Sequence, residues 1–521
     1  MTHPTPYKGG SDVANGRAWR FFALLLWITT AIRLLVVFYS PLELYPDEAQ
    51  YWLWSRHLAF GYFSKPPLIA WIVAATTALG RDTEAFVRMA PPLLQAAAAL
   101  AVAHTGRRMH GARAGAVAGA LYLLAPGVGL SAFVASTDAP LLAGISAALW
   151  AYVGLLHEEG RRRLAYAAGL GVALGLAMLA KYAALFCVVG IVIHVAIAPS
   201  ARRAWTAPAA GAAIGAFVLL IAPNLAWNLT HGLATVAHTA SNADWSHRRL
   251  SLIPMLTFLA GQFGVLGPLP FALLAGGGLG LALRRRLTAQ DGLLLCFVLP
   301  PLLVIAGQAF IARANANWAA AAYPAAAVLV GGWLDRWNAR RLTGVTVASQ
   351  AAISAALAIG LAMPQVADRA GAANSLKRLR GWKATTEGII QRADLAAFDG
   401  GLSAVAVDDR FTFNEAAYYG RGYFGRAGPP LTMWVKGAAP ENQAELTAPL
   451  TTALGRRVLA VSVEGRNTPA MIADFASATD RQISEVSLDL KHWRTTTSFI
   501  GAGFRPTPRR TGPDPTTARR P

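Results

Sequence analysis

The feature that most constrains this sequence is a series of apolar runs about 20 residues long, the length needed to cross the hydrocarbon core of a bilayer. They recur along the first 363 of 521 residues, and 55% of the chain is hydrophobic. We therefore predict an α-helical polytopic membrane protein. The first run, residues 20–39, is too long for the apolar core of a signal peptide and no small-residue cleavage site follows it. It is expected to remain as an anchor.

The positive charge of the chain is distributed as a membrane topology requires. The net charge is +20, and fourteen basic residues lie in five short clusters between apolar runs. The clusters are Arg107, Arg108 and Arg113; Arg161–Arg163; Arg202 and Arg203; Arg284–Arg286; and Arg336, Arg340 and Arg341. The positive-inside rule assigns such clusters to cytoplasmic loops. No nucleic-acid partner is therefore expected.

The same clusters set the number of crossings. If they share the cytoplasmic side with an N-terminal arm of residues 1–19, successive clusters must be separated by an even number of crossings, and the runs then give eleven. The short run 68–79 follows Pro66 and Pro67 and is expected to lie along the outer surface as an interfacial helix. The predicted membrane domain covers residues 20–363.

The remaining residues change in character. In residues 364–504, "SAVAVDD", "LTMWVKG" and "RVLAVSVEG" are typical of short strands, while "SLKRLRGWKATTEGIIQ" and "TPAMIADFASA" have helical spacing. They predict a small α/β domain outside the cytoplasm. Residues 505–521 are rich in proline and arginine, have little to bury, and are predicted to be a disordered basic tail.

The predicted membrane topology places several unusual polar residues on the outer face. They are Asp47, Glu48 and Lys65 in the first outer loop, Asp138 in the second, Lys181 between two later runs, and Arg313 and Asn317 in another loop. A carboxylate at a membrane edge can accept a proton or stabilise positive charge at a sugar carbon, and fixed cations can neutralise a phosphate. These residue types favour group transfer from a phosphorylated lipid.

Each candidate also has a structural interpretation. Asp47 and Asp138 are placed to cap helices, Lys65 to extend along the membrane surface, and Arg313 to anchor a helix end. Adjacent helical residues point about 100° apart, so Asp47 and Glu48 are not expected to share one task. Glu48 is expected to orient Lys65 or a substrate hydroxyl.

Metal and thiol chemistry find little support. His231, His238, Asp244 and His247 share a loop, but their spacing fits no compact ligand pattern. Both cysteines lie inside apolar runs, which favours neither a disulfide framework nor a thiolate site. We predict no protein metal site, and leave open whether a divalent cation is a cofactor.

Three motifs carry a family resemblance. "PDEAQYW", "GYFSKPPLIAWI" and "STDAP", in this order, resemble the GT-C glycosyltransferases that use polyprenyl-phosphate sugars. This superfamily includes protein O-mannosyltransferases and the bacterial transferases that add aminoarabinose or galacturonic acid to lipid A. The resemblance covers residues 20–335, where "MLAKYAALF" and "ARANANWAAAAYPAAAVL" resemble later family segments. "FTFNEAAYYGRG" resembles a stretch in the extracytoplasmic domain of some members.

The resemblance implies a function and roles for residues. It implies a GT-C fold, Asp47 as the catalytic carboxylate, Lys65 as a contact to the donor phosphate, and inversion at the sugar carbon with polyprenyl phosphate leaving. It also implies a lipid, glycan or protein acceptor, and a bacterial inner membrane with the active site and α/β domain on the periplasmic side. A hydroxyl acceptor needs a general base and a phosphate hardly does, so the role of Asp47 depends on the acceptor. Tyr182 replaces the family's glycine after Lys181.

Two other classes of function remain as alternatives. A transporter or lipid flippase also needs many spans and outer-face charges, but the odd number of crossings and the absence of a sequence repeat disfavour it. A receptor-like scaffold that binds envelope glycans through the tail domain would leave Asp47, Glu48 and Lys65 without a role. The sugar, the acceptor and the oligomeric state are left open.

Overall fold

The computed structural model describes residues 9–241 and 250–507, with side chains from residue 16 onward outside the gap. The chain forms two compact units. The first contains the residues up to Ser40 and Leu58–Ala362; the second contains Pro41–His57 and the residues from Met363 onward. The segment 41–57, which holds Asp47 and Glu48, is thus part of the same unit as the C-terminal residues. The domain boundaries at 20, 364 and 505 stay predictions.

Helices account for nearly all of the first unit. Up to Ile197 the α-helices of the chain are α1 Gly9–Tyr39, α2 Pro46–Ser55, α3 Leu68–Gly80, α4 Glu84–Arg88, α5 Ala90–His110, α6 Ala112–Leu123, α7 Pro126–Ser131, α8 Asp138–His157, α9 Gly160–Ala180 and α10 Leu185–Ile197. They continue with α11 Pro199–Ala204, α12 Ala207–Thr230, α13 Ala234–Ser241, α14 Leu252–Val265, α15 Pro268–Ala272, α16 Gly278–Leu283, α17 Ala289–Ile311, α18 Tyr323–Arg336 and α19 Arg340–Ala362. Of these, α2 belongs to the second unit.

Seven helical segments among the described residues are long and apolar enough to cross a membrane. They are Gly16–Tyr39, Glu84–His110, Asp138–His157, Gly160–Ala180, Ala207–Thr230, Ala289–Ile311 and Arg340–Ala362. The chain is a membrane protein with many helical spans, as predicted, but the count of eleven crossings is not confirmed.

The difference arises where predicted runs are broken or short. The run 114–134 is divided before Pro126, and the run 251–283 is divided at Gly267, whose φ is +108°, and Pro268. Proline starts a new helix readily but cannot continue one without losing a hydrogen bond. The helix α10 has only 13 residues. The short run at 68–79 does form a separate helix, α3, and its location at the membrane surface stays a prediction.

The predicted arm and tail lie partly outside the described residues. Residues 1–8 of the arm and 508–521 of the tail are not described, whereas α1 begins at Gly9, within the arm. The expected disorder of residues 505–521 therefore stays a prediction.

The second unit is built on a five-stranded sheet of order β2-β1-β3-β5-β4. Its strands are β1 Ala404–Val407, β2 Leu431–Met433, β3 Arg457–Val463, β4 Phe475–Ser487 and β5 Trp493–Phe504. The first three pair in parallel, and β5 pairs antiparallel with both β3 and β4. The later helices are α20 Pro364–Arg369, α21 Ala373–Leu376, α22 Trp382–Phe398, α23 Arg410–Tyr419, α24 Gln443–Thr447 and α25 Thr468–Ala473.

These elements agree with the α/β domain predicted from the sequence. The core between the sheet and its helices contains Val405, Leu459, Ile389 and Phe413, and Leu53 of α2 packs against it. The sequence also suggested one helix over "TPAMIADFASA", but α25 ends at Ala473 and the last residues begin β4. The helix α2 is therefore part of the hydrophobic packing of this unit.

Candidate active site

The predicted site residues occur in both compact units, and each group is described on its own. In the second unit, α2 begins at Pro46, whose fixed φ suits the first turn of a helix. The buried Glu48 accepts a hydrogen bond at Oε2 from the Tyr45 amide, at 2.8 Å. This bond caps a backbone donor that the helix leaves unpaired. Glu48 thus stabilises the start of α2.

Asp47 points in a different direction and stays accessible. Its side chain is 39% exposed, and its Oδ1 lies 3.4 Å from Arg410 Nη1. The same Nη1 donates to Gln50 Oε1 at 3.0 Å, and Gln50 Oε1 lies 3.4 Å from Asn414 Nδ2. Among the described residues, Asp47 Oδ2 accepts no hydrogen bond. One oxygen of the carboxylate is therefore restrained by Arg410, and the other has no hydrogen-bond partner among the described residues.

The end of β1 places Arg410 beside Asp47. After Val407 the chain passes through two aspartates, and the second, Asp409, caps α23 by accepting from the Thr412 amide at 2.9 Å. Arg410 is the first residue of this helix. A cap fixes the backbone at the start of a helix, so it also fixes the position from which the Arg410 side chain extends.

The helices α2 and α23 pack directly against each other. The Leu44 amide donates to the Tyr419 hydroxyl at 2.9 Å, and the Trp52 and Tyr418 rings meet edge to face with centroids 4.9 Å apart. This packing joins "PDEAQYW" to "FTFNEAAYYGRG", two motifs that lie far apart in the sequence. Arg410 and Gln50 were not predicted as site residues, although Gln50 lies inside the first motif and Arg410 directly precedes the second.

In the first unit the structure brings three predicted residues together. Asp138, the first residue of α8, accepts from Lys181 Nζ at Oδ1 at 2.7 Å and from Asn317 Nδ2 at Oδ2 at 2.9 Å. The Asp138 side chain is only 14% exposed. Lys65 lies close enough to interact electrostatically with this carboxylate. We call Asp138, Lys181 and Asn317 the Asp138 cluster.

The position of Lys181 depends on the turn that follows α9. The backbone is extended at Lys181, with φ −162° and ψ 135°, and a 3₁₀ turn of residues 182–184 follows. The Tyr182 hydroxyl donates to Asn224 Oδ1 at 3.1 Å and accepts from Asn228 Nδ2 at 3.2 Å. The tyrosine that replaces the family's glycine therefore fastens this turn to α12.

The segment that carries Lys65 is attached to the same part of the unit. Asn224 Nδ2 donates to the Phe60 carbonyl at 2.6 Å, and the Thr235 hydroxyl donates to the Tyr62 carbonyl at 2.6 Å. Lys65 itself is half-buried and its carbonyl accepts from the Tyr62 amide at 3.1 Å. The hydrogen bonds of α12 and α13 thus hold the loop in place.

Arg313 does not join the Asp138 cluster. It is exposed in the turn after α17, and within the described part of the chain its guanidinium makes no ion pair. The described residues also contain no group of three or more histidine, cysteine, aspartate or glutamate side chains placed to hold a metal ion. Asp244 and His247 of the histidine-containing loop lie outside the described residues.

The sequence matches a known family over residues 64–227, described as dolichyl-phosphate-mannose-protein mannosyltransferase. This region includes Lys65, Asp138 and Lys181. The chain is also 40% identical over 301 residues to the lipid A galacturonosyltransferase RgtD of Rhizobium johnstonii. That match spans 58% of this chain and 62% of RgtD, which is less than two thirds of the length of the relative.

The fold is similar to that of solved structures of ArnT from Cupriavidus metallidurans. The apo form is 17% identical, with a TM-score of 0.63, and the comparison covers 91% of this chain and 98% of that one. The form bound to undecaprenyl phosphate is 16% identical, with a TM-score of 0.60, and covers 92% and 97%. The family match, the identity with RgtD and the similar fold together confirm the resemblance predicted from the sequence motifs.

Proposed function

Since this chain is similar to GT-C glycosyltransferases of the protein mannosyltransferase and ArnT type, we propose that it transfers a sugar from a polyprenyl-phosphate donor to an acceptor in the bacterial envelope. The observation that carries the proposal is the state of Asp47. Its Oδ1 is restrained by Arg410, its Oδ2 accepts no hydrogen bond within the described part of the chain, and its side chain is 39% exposed, as a group that must contact a substrate requires.

The proposed reaction inverts the sugar carbon. An acceptor oxygen attacks the anomeric carbon and forms the new glycosidic bond, while the bond from that carbon to the phosphate oxygen breaks. The phosphate leaves with the electron pair, still attached to its polyprenyl chain. When the acceptor is a hydroxyl, its proton passes to the Asp47 carboxylate, which acts as general base.

The Asp138 cluster, together with Lys65, is proposed to bind the leaving phosphate and stabilise its charge. Lys181 retains two ammonium hydrogens beyond the one it gives to Asp138, and they can be donated to a phosphate oxygen. Asp138 holds Lys181 at 2.7 Å and so limits the number of orientations the long side chain can adopt. Fixed cations of this kind stabilise the charge that develops as the phosphate leaves. Asn317 is assigned the same positioning role, and Arg313 is retained as a donor contact.

The substrates are proposed from the similar proteins. RgtD is named for galacturonosyl transfer to lipid A, and ArnT was solved with undecaprenyl phosphate. We propose that the donor is a polyprenyl-phosphate sugar, and galacturonic acid is the first sugar to test. Lipid A is the first acceptor to test. The compartment is proposed to be the bacterial inner membrane, with transfer on the periplasmic face.

The test is transfer by the purified protein in lipid nanodiscs. The protein is incubated with polyprenyl-phosphate sugars, galacturonic acid first, and with lipid A, and mass spectrometry follows free polyprenyl phosphate and an acceptor heavier by one sugar. We expect product with the wild type and loss of it with Asp47→Asn. The matched control is Asp480→Asn, which removes another partly exposed carboxylate paired with an arginine in the same unit.

Two results would contradict the proposal. Equal activity of the Asp47→Asn protein and the wild type would remove Asp47 from the reaction. No product from any donor, together with movement of labelled lipid across the bilayer by the wild type, would favour a flippase.

A further inference from the structure

The connection between β4 and β5 exposes large apolar side chains. Leu490 is 94% exposed and Trp493 is 56% exposed. Asp489 Oδ1 accepts from the amides of Lys491 and His492, at 2.8 and 3.1 Å, and these hydrogen bonds restrain the backbone of the turn that presents Leu490. We call residues 488–493 the hairpin tip.

The base of the hairpin tip is fixed beside the residues that follow α19. Arg380 donates to the Leu488 carbonyl at 3.4 Å and forms two hydrogen bonds of 3.0 Å with Asp368. It also donates to the Pro364 carbonyl at 3.4 Å. Gly381 has φ +76°, and a Cβ there would collide with the Leu488 side chain. The tip is therefore tied to the point where the chain enters this unit from α19.

The chain enters the unit a second time at the same place. Glu43 Oε2 accepts from the Trp382 amide at 2.5 Å, and the Glu43 amide donates to the Leu379 carbonyl at 3.0 Å. One open cleft of about 280 Å³ is lined by residues 41–43, by Pro364, Gln365 and Asp368, and by Arg380 and Leu488. The two entering segments and the hairpin tip therefore lie on one face of the second unit.

Short covalent connections join this face to two of the candidate membrane spans. The candidate spans end at Tyr39 and Ala362, each two residues before the cleft begins at Pro41 and Pro364. Within the first unit the Ser40 hydroxyl donates to the Leu361 carbonyl at 2.8 Å, so the two span ends lie side by side. A segment of two residues reaches at most about 7 Å. Two short covalent connections therefore join the face with the hairpin tip to the ends of two candidate spans.

We propose that the hairpin tip inserts into the interface between headgroups and acyl chains of the bilayer. Tryptophan is enriched at this depth because its ring is amphipathic, and a lysine such as Lys491 can bury its stem while its ammonium group reaches the phosphates. Apolar side chains of surface-bound segments enter this region by about 5–10 Å. The partner is the phospholipid bilayer itself, and the inference does not depend on the proposed function.

The test measures contact with lipid at two matched positions. Leu490→Cys and Phe398→Cys proteins are labelled with an environment-sensitive fluorophore, which is selective because the native Cys187 and Cys296 are buried. Both replaced side chains are 94% exposed, so neither change disturbs packing. Phe398 ends α22, a helix of 17 residues that starts next to Gly381. At 1.5 Å per residue it lies about 24 Å from the cleft.

The full-length proteins are reconstituted in nanodiscs of phosphatidylcholine and phosphatidylglycerol, with and without lipids spin-labelled near the headgroup. We expect the label at position 490 to shift its emission to shorter wavelength and to lose intensity with the spin-labelled lipids, while the label at position 398 does neither. Equal and weak quenching at both positions would overturn the proposal. A shift at position 490 without quenching would also overturn it, since that label would then be covered by protein. Trp493→Cys provides a second site for the same measurement.

Discussion

The carboxylates of Asp47 and Asp138 differ in how the protein occupies their oxygens. Asp138 is 14% exposed and both of its oxygens are hydrogen-bonded, one to Lys181 and the other to Asn317. Asp47 is 39% exposed, its one ion pair is long at 3.4 Å, and its second oxygen accepts no hydrogen bond among the described residues. A carboxylate with both oxygens engaged orients its neighbours. A carboxylate with an open oxygen is suited to exchange a proton with a ligand.

The largest expected effect separates these two roles. Asp47→Asn keeps the shape of the side chain but removes the base, so kcat for a hydroxyl acceptor should fall by a factor of about 10²–10⁴. The donor KM should change little, because the donor phosphate is assigned to other residues. Steady-state kinetics with a fixed acceptor measures both. A rise in donor KM without loss of kcat would give Asp47 a binding role instead.

The next effect concerns the partner of Asp47. Arg410→Gln removes the restraint on Oδ1, and we expect kcat to fall by about 10- to 100-fold, since small displacements of a reacting group are costly. Arg410→Lys should recover part of the rate by restoring the charge without the planar guanidinium. Arg392→Gln, at another ion pair of the same unit, is the control. No rescue by lysine, with an unchanged melting temperature in each variant, would show that the charge of Arg410 does not act through Asp47.

Asp138→Asn should affect binding more than turnover. Without the carboxylate Lys181 is no longer held, and we expect donor KM to rise about tenfold, or about 1.4 kcal/mol. If the pair acts as a unit, adding Lys181→Gln should cost much less in the double variant than in the wild type. Asp335→Asn, which breaks the ion pair with Arg113 in the same unit, is the control. Additive effects of the two substitutions would mean that Asp138 and Lys181 act separately.

The smallest expected effect is at Tyr182. Tyr182→Phe removes two hydrogen bonds to α12, each with a net value of about 0.5–1.5 kcal/mol. Only part of this lost free energy should affect the binding of the donor, so we expect donor KM to rise by about two- to fivefold. Tyr152→Phe, which loses a hydroxyl contact to His194 in the same unit, should leave donor KM unchanged. An equal rise in both variants would indicate general loosening of the helices.

Local sequence patterns predicted the features that depend on neighbouring residues. The apolar runs identified helices such as α1, α8 and α19. Pro66 and Pro67 correctly indicated the start of α3. The strands β1, β2 and β3 lie within the three segments expected to form them. By contrast, β4 has an almost fully exposed surface with no apolar alternation, so no periodic pattern marks it as a strand.

The candidate site was predictable to a smaller extent. The residue types suggested Asp138 and Lys181, and the structure pairs them. Glu48 caps α2, a role that depends on its place in the first helical turn and that the sequence did not suggest; its expected role in orienting a lysine or a substrate stays a prediction. The contact of Arg410 with Asp47 depends on the packing of α2 against α23, which no local pattern reveals. Their catalytic roles stay predictions.

The separation of Asp47 and Arg410 along the chain has a consequence for biosynthesis. The two residues are 363 positions apart, and α2 emerges from the ribosome long before α23. At a synthesis rate of about 5–20 residues per second, the chain between the two residues takes about 20 to 70 s to make. During that time α23 is not available to pack against α2. All seven candidate spans are synthesised in that interval or before it, because the last one ends at Ala362. Asp47 therefore acquires its restrained geometry only after the membrane helices have been made, and a chain that ends before α23 never does.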